Sequence, residues 1–111
     1  MVDEEGRVTY GSIEISKGTF YEGQWLNNVR DGYGVQVWPN RTIYEGYWQE
    51  DRTNGDGKLK NGNGDVYEGE WLNNKAHGQG IQRYADGAYY DGEWRENKQH
   101  GFGIESWPDG T

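Results

Sequence analysis

The sequence predicts an all-β protein: an elongated, single-layer antiparallel sheet built from tandem β-hairpins. Three observations predict it. A Tyr-acid-Gly-x-Trp block recurs every 23 residues without an insertion, as Tyr21-Glu22-Gly23-Gln24-Trp25, Tyr44-Glu45-Gly46-Tyr47-Trp48, Tyr67-Glu68-Gly69-Glu70-Trp71 and Tyr90-Asp91-Gly92-Glu93-Trp94. A Gly-x-Gly begins eleven residues after each tyrosine, at Gly32/Gly34, Gly55/Gly57, Gly78/Gly80 and Gly101/Gly103. Within each unit, residues of like character alternate with period two, as in strands and not helices. A fixed period of this length marks stacked supersecondary units rather than a conventional globule.

Composition agrees. Only 32% of residues are apolar and the mean hydropathy is -1.20, too little aliphatic material for a two-layer core. Disordered chains are poor in aromatics, yet this one has six Trp, nine Tyr and 19 Gly. A ring from one strand is therefore expected to lie flat over a glycine of the next, burying on the order of 150 to 250 Å². A repeated aromatic–glycine face then replaces the aliphatic core. With strands ~4.8 Å apart, each hairpin advances about 10 Å and four span roughly 40 Å. Each repeat touches only its neighbours, so stability is nearly one-dimensional.

The elements follow in chain order. Residues 1–8 show no register and are expected to be frayed. Residues 9–20, with Gly11 in the second-glycine column, read as a degenerate half-repeat that caps the array. In repeat 1, residues 21–43, Tyr21, Gly23 and Trp25 face one side, and Glu22 and Gln24 the other. The polar stretch Asn27-Asn28-Val29-Arg30-Asp31 turns the chain. Gly32, Gly34 and Trp38 then share a face opposite Tyr33, Val35 and Val37, and Pro39-Asn40 closes the unit. Repeat 2, residues 44–66, carries Asn54 where later copies have His, and Asn61 where the others have Trp38, Tyr84 and Trp107. Its stretch Lys58-Leu59-Lys60-Asn61-Gly62-Asn63-Gly64 has little to pack and is predicted to be the softest part. Repeat 3, residues 67–89, turns at Asp86-Gly87. Repeat 4, residues 90–111, ends on Pro108-Asp109-Gly110 and Thr111, a turn that should feed another strand. The module is thus expected to continue, or to have its last edge covered by a partner.

The chemistry narrows quickly. A net charge of -8 argues against nucleic acid, whose binding rests on neutralised phosphates, and against anionic lipid. Without cysteine there is neither a disulfide nor a thiolate metal site. The acidic start and the lack of an apolar run of about 18 residues predict a soluble, cytoplasmic protein. Ser12, Ser16 and Ser106 stand in no nucleophile setting. The Gly-x-Gly pairs lack the Gly-Lys-Ser/Thr and helix of a phosphate loop and read as sheet glycines. His77 and His100 share a column, about 10 Å apart, too far to share a zinc ion with bonds of ~2 Å. The column's other members, Asp31 and Asn54, point to a turn or hydrogen-bonding role. The carboxylates Glu22, Glu45, Glu68 and Asp91 read as a solvated ladder with cross-strand partners such as Lys75 or Lys98. No catalytic residue, metal or cofactor is predicted.

The aromatics carry the functional expectation. Tyr21, Trp25, Tyr44, Trp48, Tyr67, Trp71, Tyr90 and Trp94 are first of all packing residues. A single sheet has no second layer, however, so part of their face is expected to stay open as a groove, and contiguous exposed aromatic surface marks binding sites. Tyr33, Tyr47 and Phe102 interrupt otherwise polar columns and are the candidates for partner specificity.

This pattern resembles the MORN repeat family, whose unit reads approximately Tyr-Glu-Gly-Glu-Trp, a short loop, then His-Gly-x-Gly and an Asp-Gly turn. Residues 67–89 and 90–111 match most fully, with His77-Gly78-Gln79-Gly80 and His100-Gly101-Phe102-Gly103. The resemblance covers residues 9–111. It implies an elongated, slightly twisted sheet serving as a scaffold in cytoskeletal, ciliary or junctional settings. It also implies two alternatives: phosphoinositide-dependent membrane association, which the charge disfavours, or a repeat appendage of a lipid kinase or lysine methyltransferase whose catalytic domain is absent here. The expected partner is a protein, as a peptide or helix in the groove or a strand added at an open edge; a second copy added there would make a homodimer.

Overall fold

The alternation and the turn signals become nine strands in one open sheet. The structure, a computed structural model, describes residues 2–109. The strands are β1 (Val8–Ser16), β2 (Thr19–Leu26), β3 (Val29–Val37), β4 (Ile43–Gln49), β5 (Arg52–Lys60), β6 (Val66–Leu72), β7 (Lys75–Arg83), β8 (Tyr89–Arg95) and β9 (Lys98–Ser106). They lie side by side in sequence order, each antiparallel to the next. Among the described residues there is no helix. The body measures 48 × 27 × 19 Å.

Two kinds of turn link the strands. Within each repeat the hairpin closes on two residues, Asn27-Asn28, Glu50-Asp51, Asn73-Asn74 or Glu96-Asn97, all with φ between 48 and 70°. Two successive left-handed residues match the right-handed strand twist, and Asn adopts them most easily. The turn is thus shorter than the polar stretch suggested, and Val29, Arg30 and Asp31 belong to β3. Between repeats, longer turns hold Pro39-Asn40, Asn61-Gly62 and Asp86-Gly87. Of the expected closing turn, Gly110 and Thr111 lie outside the described residues, as does Met1 of the expected frayed segment.

Each hairpin carries a bulge that the sequence did not announce. Gly23 pairs with Gly34 but Trp25 pairs with Arg30, so two residues of β2 span four of β3; the slip recurs in every repeat. The pairing between repeats is regular, with Gly32 opposite Trp48 and Gly55 opposite Trp71. The first glycine of each Gly-x-Gly sits in the bulge at positive φ, 84° at Gly55, a conformation that residues with a Cβ avoid.

The second glycine does different work. A Cβ on Gly34, Gly57, Gly80 or Gly103 would fall within the ring of Tyr21, Tyr44, Tyr67 or Tyr90 respectively. Rings thus cover glycines as expected. To one another they stand edge-to-face, in one unbroken ladder: Trp25, Tyr21, Trp48, Tyr44, Trp71, Tyr67, Trp94, Tyr90. Centroids are 5.1–5.5 Å apart and planes 82–90° apart, the arrangement that ring quadrupoles favour. Every tyrosine hydroxyl of the ladder donates to the carbonyl three residues on, at Gln24, Tyr47, Glu70 or Glu93. The indoles of Trp48, Trp71 and Trp94 donate to the carbonyls of Gly34, Gly57 and Gly80. In repeat 1 the counterpart carbonyl belongs to Gly11, where the β1–β2 register slips, and Trp25 Nε1 has no partner.

Two expectations need correction. Residues 2–7 form a turn rather than a frayed end. Val2 bridges Val8, and the Asp3 carboxylate accepts from the N–H groups of Glu5 and Arg7. The Arg7 guanidinium in turn meets the buried Asp31 carboxylate at 2.8 Å. A carboxylate taken out of water needs such a partner, which ties the turn down. In repeat 2, Leu59 does find packing: it lies against the aromatic core, while Lys58 and Lys60 are less well covered at the sheet surface.

Candidate functional site

The ladder face is the first candidate surface. Its repeated rings are almost wholly covered by one another: Tyr21 and Tyr44 are 0% and 1% exposed, and Trp48, Tyr67, Trp71, Tyr90 and Trp94 do not exceed 9%. Trp25 is half-buried. Interdigitation thus does what a second layer would do, and the face is not an open aromatic strip.

What remains open is a depression of about 360 Å³ over the second repeat, walled by Trp38, Tyr44, Trp48, Leu59 and Trp71. Comparing repeat columns explains its place. Fifteen residues after the repeat tyrosine stand Gln36, Leu59, Gln82 and Glu105, so only the second repeat is apolar there. Nine residues after it stand Arg30, Thr53, Ala76 and Gln99. Arg30 lies with its guanidinium carbon 4.5 Å from the Trp48 ring centroid, a cation–π contact. It donates to Gln36 Oε1 and to Asp51 Oδ1, forming one rim. Burial alone would raise the Asp51 carboxyl, but the Arg30 backbone N–H and guanidinium outweigh it and hold it below the usual carboxylate range.

Thr53, only 6% exposed, lines the same depression, and its Oγ1 is buried without a hydrogen-bond partner. A buried hydroxyl left unpaired costs on the order of 1–3 kcal/mol. Thr53, Leu59, Trp38 and Arg30 were not among the residues singled out from the sequence as a site. Leu59 was visible as the apolar member of a polar column, but its contact with the ladder was not.

The opposite face carries the irregular aromatics. Tyr33 and Tyr47 are paired directly across β3 and β4, their rings 5.4 Å apart and edge-to-face, and both are exposed. Partial burial, then the Glu45 carboxylate beside it, push the Tyr33 phenol above its usual pKa. Phe102, 90% exposed, lies on β9 and does not join them. The eleven aromatic candidates therefore divide: eight form the ladder, two make a pair on the other face, and one stands apart.

The carboxylate ladder has a different partner from the one expected. Lys58 stands opposite both Glu45 and Glu68, whereas Lys75 and Lys98 pair with Leu72 and Arg95. Those two lysines sit beside the hairpin turns, at the far end of their strands from the acids. In the histidine column, Asp31 accepts from the Glu50 N–H and Asn54 from the Asn73 N–H, each linking one hairpin to the turn of the next. His77 and His100 line a shallow cavity with Glu93 and Arg95. Among the described residues no group of three or more His, Cys, Asp or Glu is placed to hold a metal ion.

The family model described as MORN repeat matches residues 21–43, 44–66, 67–89 and 90–111. A comparison with curated proteins gives no match.

Proposed function

The chain belongs to the MORN repeat family, and from that premise we propose that it is a non-catalytic interaction scaffold that binds a peptide segment of a partner protein in the depression over its second repeat. Repeats of this family generally serve interaction with proteins or membranes. The observation that carries the choice is Thr53 Oγ1, an unsatisfied hydroxyl in the wall of an apolar depression. A ligand side chain seated among Trp48, Leu59 and Trp71 would remove apolar surface from water, worth roughly 1.5–3 kcal/mol for a residue the size of leucine. The Thr53 hydroxyl is buried beneath this wall, so a shift of the covering side chains on binding would let a carbonyl or amide reach it, for about 1 kcal/mol more. The Arg30–Asp51 rim would orient the peptide. These terms alone give weak affinity, so contact extends along the ladder face.

The buried tryptophans are poor probes, because removing them breaks the ladder. Leu59→Gln and Thr53→Ala install residue types that other repeats already carry in those columns, Gln36 or Gln82 and Ala76, so the fold is retained. Peptides selected from a random display library against the unaltered chain are expected to bind each variant roughly tenfold more weakly. Selected peptides that bind Leu59→Gln and Thr53→Ala as tightly as the original, with thermal unfolding unchanged, would refute the assignment.

A further inference from the structure

Each hairpin bulge turns one backbone N–H towards the preceding strand, and three of the four repeats fill it from within. The Tyr33 N–H donates to Gln24 Oε1 at 2.7 Å, Gln79 to Glu70 Oε2 at 2.6 Å, and Phe102 to Glu93 Oε2 at 2.7 Å. The same side chains occupy the space over the first bulge glycine, where a Cβ on Gly32, Gly78 or Gly101 would collide with Gln24, Glu70 or Glu93. In repeat 2 that column holds Tyr47, whose ring packs on Tyr33. Among the described residues no side chain accepts from the Asp56 N–H. A Cβ on Gly55 would meet only Tyr47 Cβ, at 3.5 Å. Beside it a cavity of about 420 Å³ is bordered by Tyr33, Tyr47 and Asp56, with Glu45, Lys58 and Glu68 around it; Gly55 itself borders a neighbouring cavity with Asp31, Glu50 and Asn54.

We propose that this second-repeat bulge is a docking site for a basic, extended peptide that supplies, from a glutamine or asparagine side chain, the oxygen that Gln24 supplies in repeat 1. The acceptor is a neutral amide because three carboxylates, Glu45, Asp56 and Glu68, face a single ammonium, Lys58, and would repel an incoming carboxylate. Gln24 shows that an amide oxygen fits the geometry. The same imbalance selects flanking lysine or arginine, which can meet Glu45 and Glu68 and lie on the exposed faces of Tyr33 and Tyr47. This site is on the opposite face of the sheet from the Thr53 depression, so the two assignments stand or fall separately.

The test is amide-resolved NMR on the whole chain. The Asp56 amide is expected to exchange with solvent about tenfold or more faster than the bonded amides of Tyr33 and Gln79. Tyr47→Gln, which installs the residue type of repeat 1, should slow it to their rate. Titration with acetyl-Arg-Gln-Arg amide at low salt should move the Gly55, Asp56 and Gly57 signals. Binding should weaken roughly tenfold in Tyr47→Gln, and the Glu-Gln-Glu peptide should leave the signals in place. Slow Asp56 exchange in the unaltered chain, an equal response in Tyr47→Gln, or a preference for the acidic peptide would each overturn the proposal.

Discussion

The second glycine of each Gly-x-Gly lies under a tyrosine ring, whereas Gly11 in the same column of the capping half-repeat does not, and the difference can be measured. Gly57 lies under the Tyr44 ring, so an added methyl group must displace a side chain 1% exposed and bonded through its hydroxyl to Tyr47. Gly57→Ala is expected to destabilise the array by about 3 kcal/mol, the upper range for overpacking. Gly11 has nothing within 4 Å of where a Cβ would stand, and its φ is not positive. Gly11→Ala is therefore expected to be neutral or to stabilise by up to about 1 kcal/mol, through loss of unfolded-state freedom. Urea unfolding of both variants checks the contrast, and equal effects would remove ring-over-glycine packing as the source of the core.

The hairpin is clamped to its predecessor through its turn. Asp51, Asn74 and Asn97 donate their N–H to the carbonyls of Arg30, Thr53 and Ala76, and their side chains accept from those same residues' N–H groups. This second turn position therefore serves two strands. The first position is freer: Asn27 and Asn73 hold it in repeats 1 and 3, while Glu50 takes φ 48° in repeat 2 with a side chain poorly suited to that region. Because asparagine tolerates left-handed geometry better, Glu50→Asn is expected to stabilise the protein by roughly 0.5–1 kcal/mol. A shift of the denaturation midpoint to higher urea at unchanged slope would show it; a lower midpoint would show that Glu50 makes a contribution beyond backbone geometry.

Across the whole molecule the ladder joins all four repeats, so a change acting on its tyrosines acts on the entire array. Burial pushes the Tyr21 and Tyr67 phenols to about 12, and Tyr44 higher still. In the unfolded chain a phenol titrates near 10. Between those values the native state holds more protons than the unfolded state, so stability falls as pH rises. The contribution is complete below about pH 10 and is lost progressively towards pH 12. Far-ultraviolet circular dichroism with tryptophan fluorescence should show loss of structure beginning above about pH 10, and flat stability up to about pH 12 would mean that the rings are not held neutral by the fold.

The sequence by itself determined the period, the hairpins, the two faces and the stacking of like residues in columns. Those features follow from local rules: strand alternation repeats every two residues, turns need asparagine or glycine, and an insertion-free 23-residue period keeps each column in line. Only the tertiary structure decided which residues meet across strands. The bulge adds two residues to one side of every hairpin, and that shift sets Lys58 opposite Glu45, while the tight turn keeps Lys75 opposite Leu72, away from the acids. The cavity at Asp56 and the unpaired Thr53 hydroxyl arise because repeat 2 differs from its neighbours at Tyr47, Thr53 and Leu59. Their sequence positions showed the differences, but what each difference left unfilled depended on side chains brought together from strands distant in the chain.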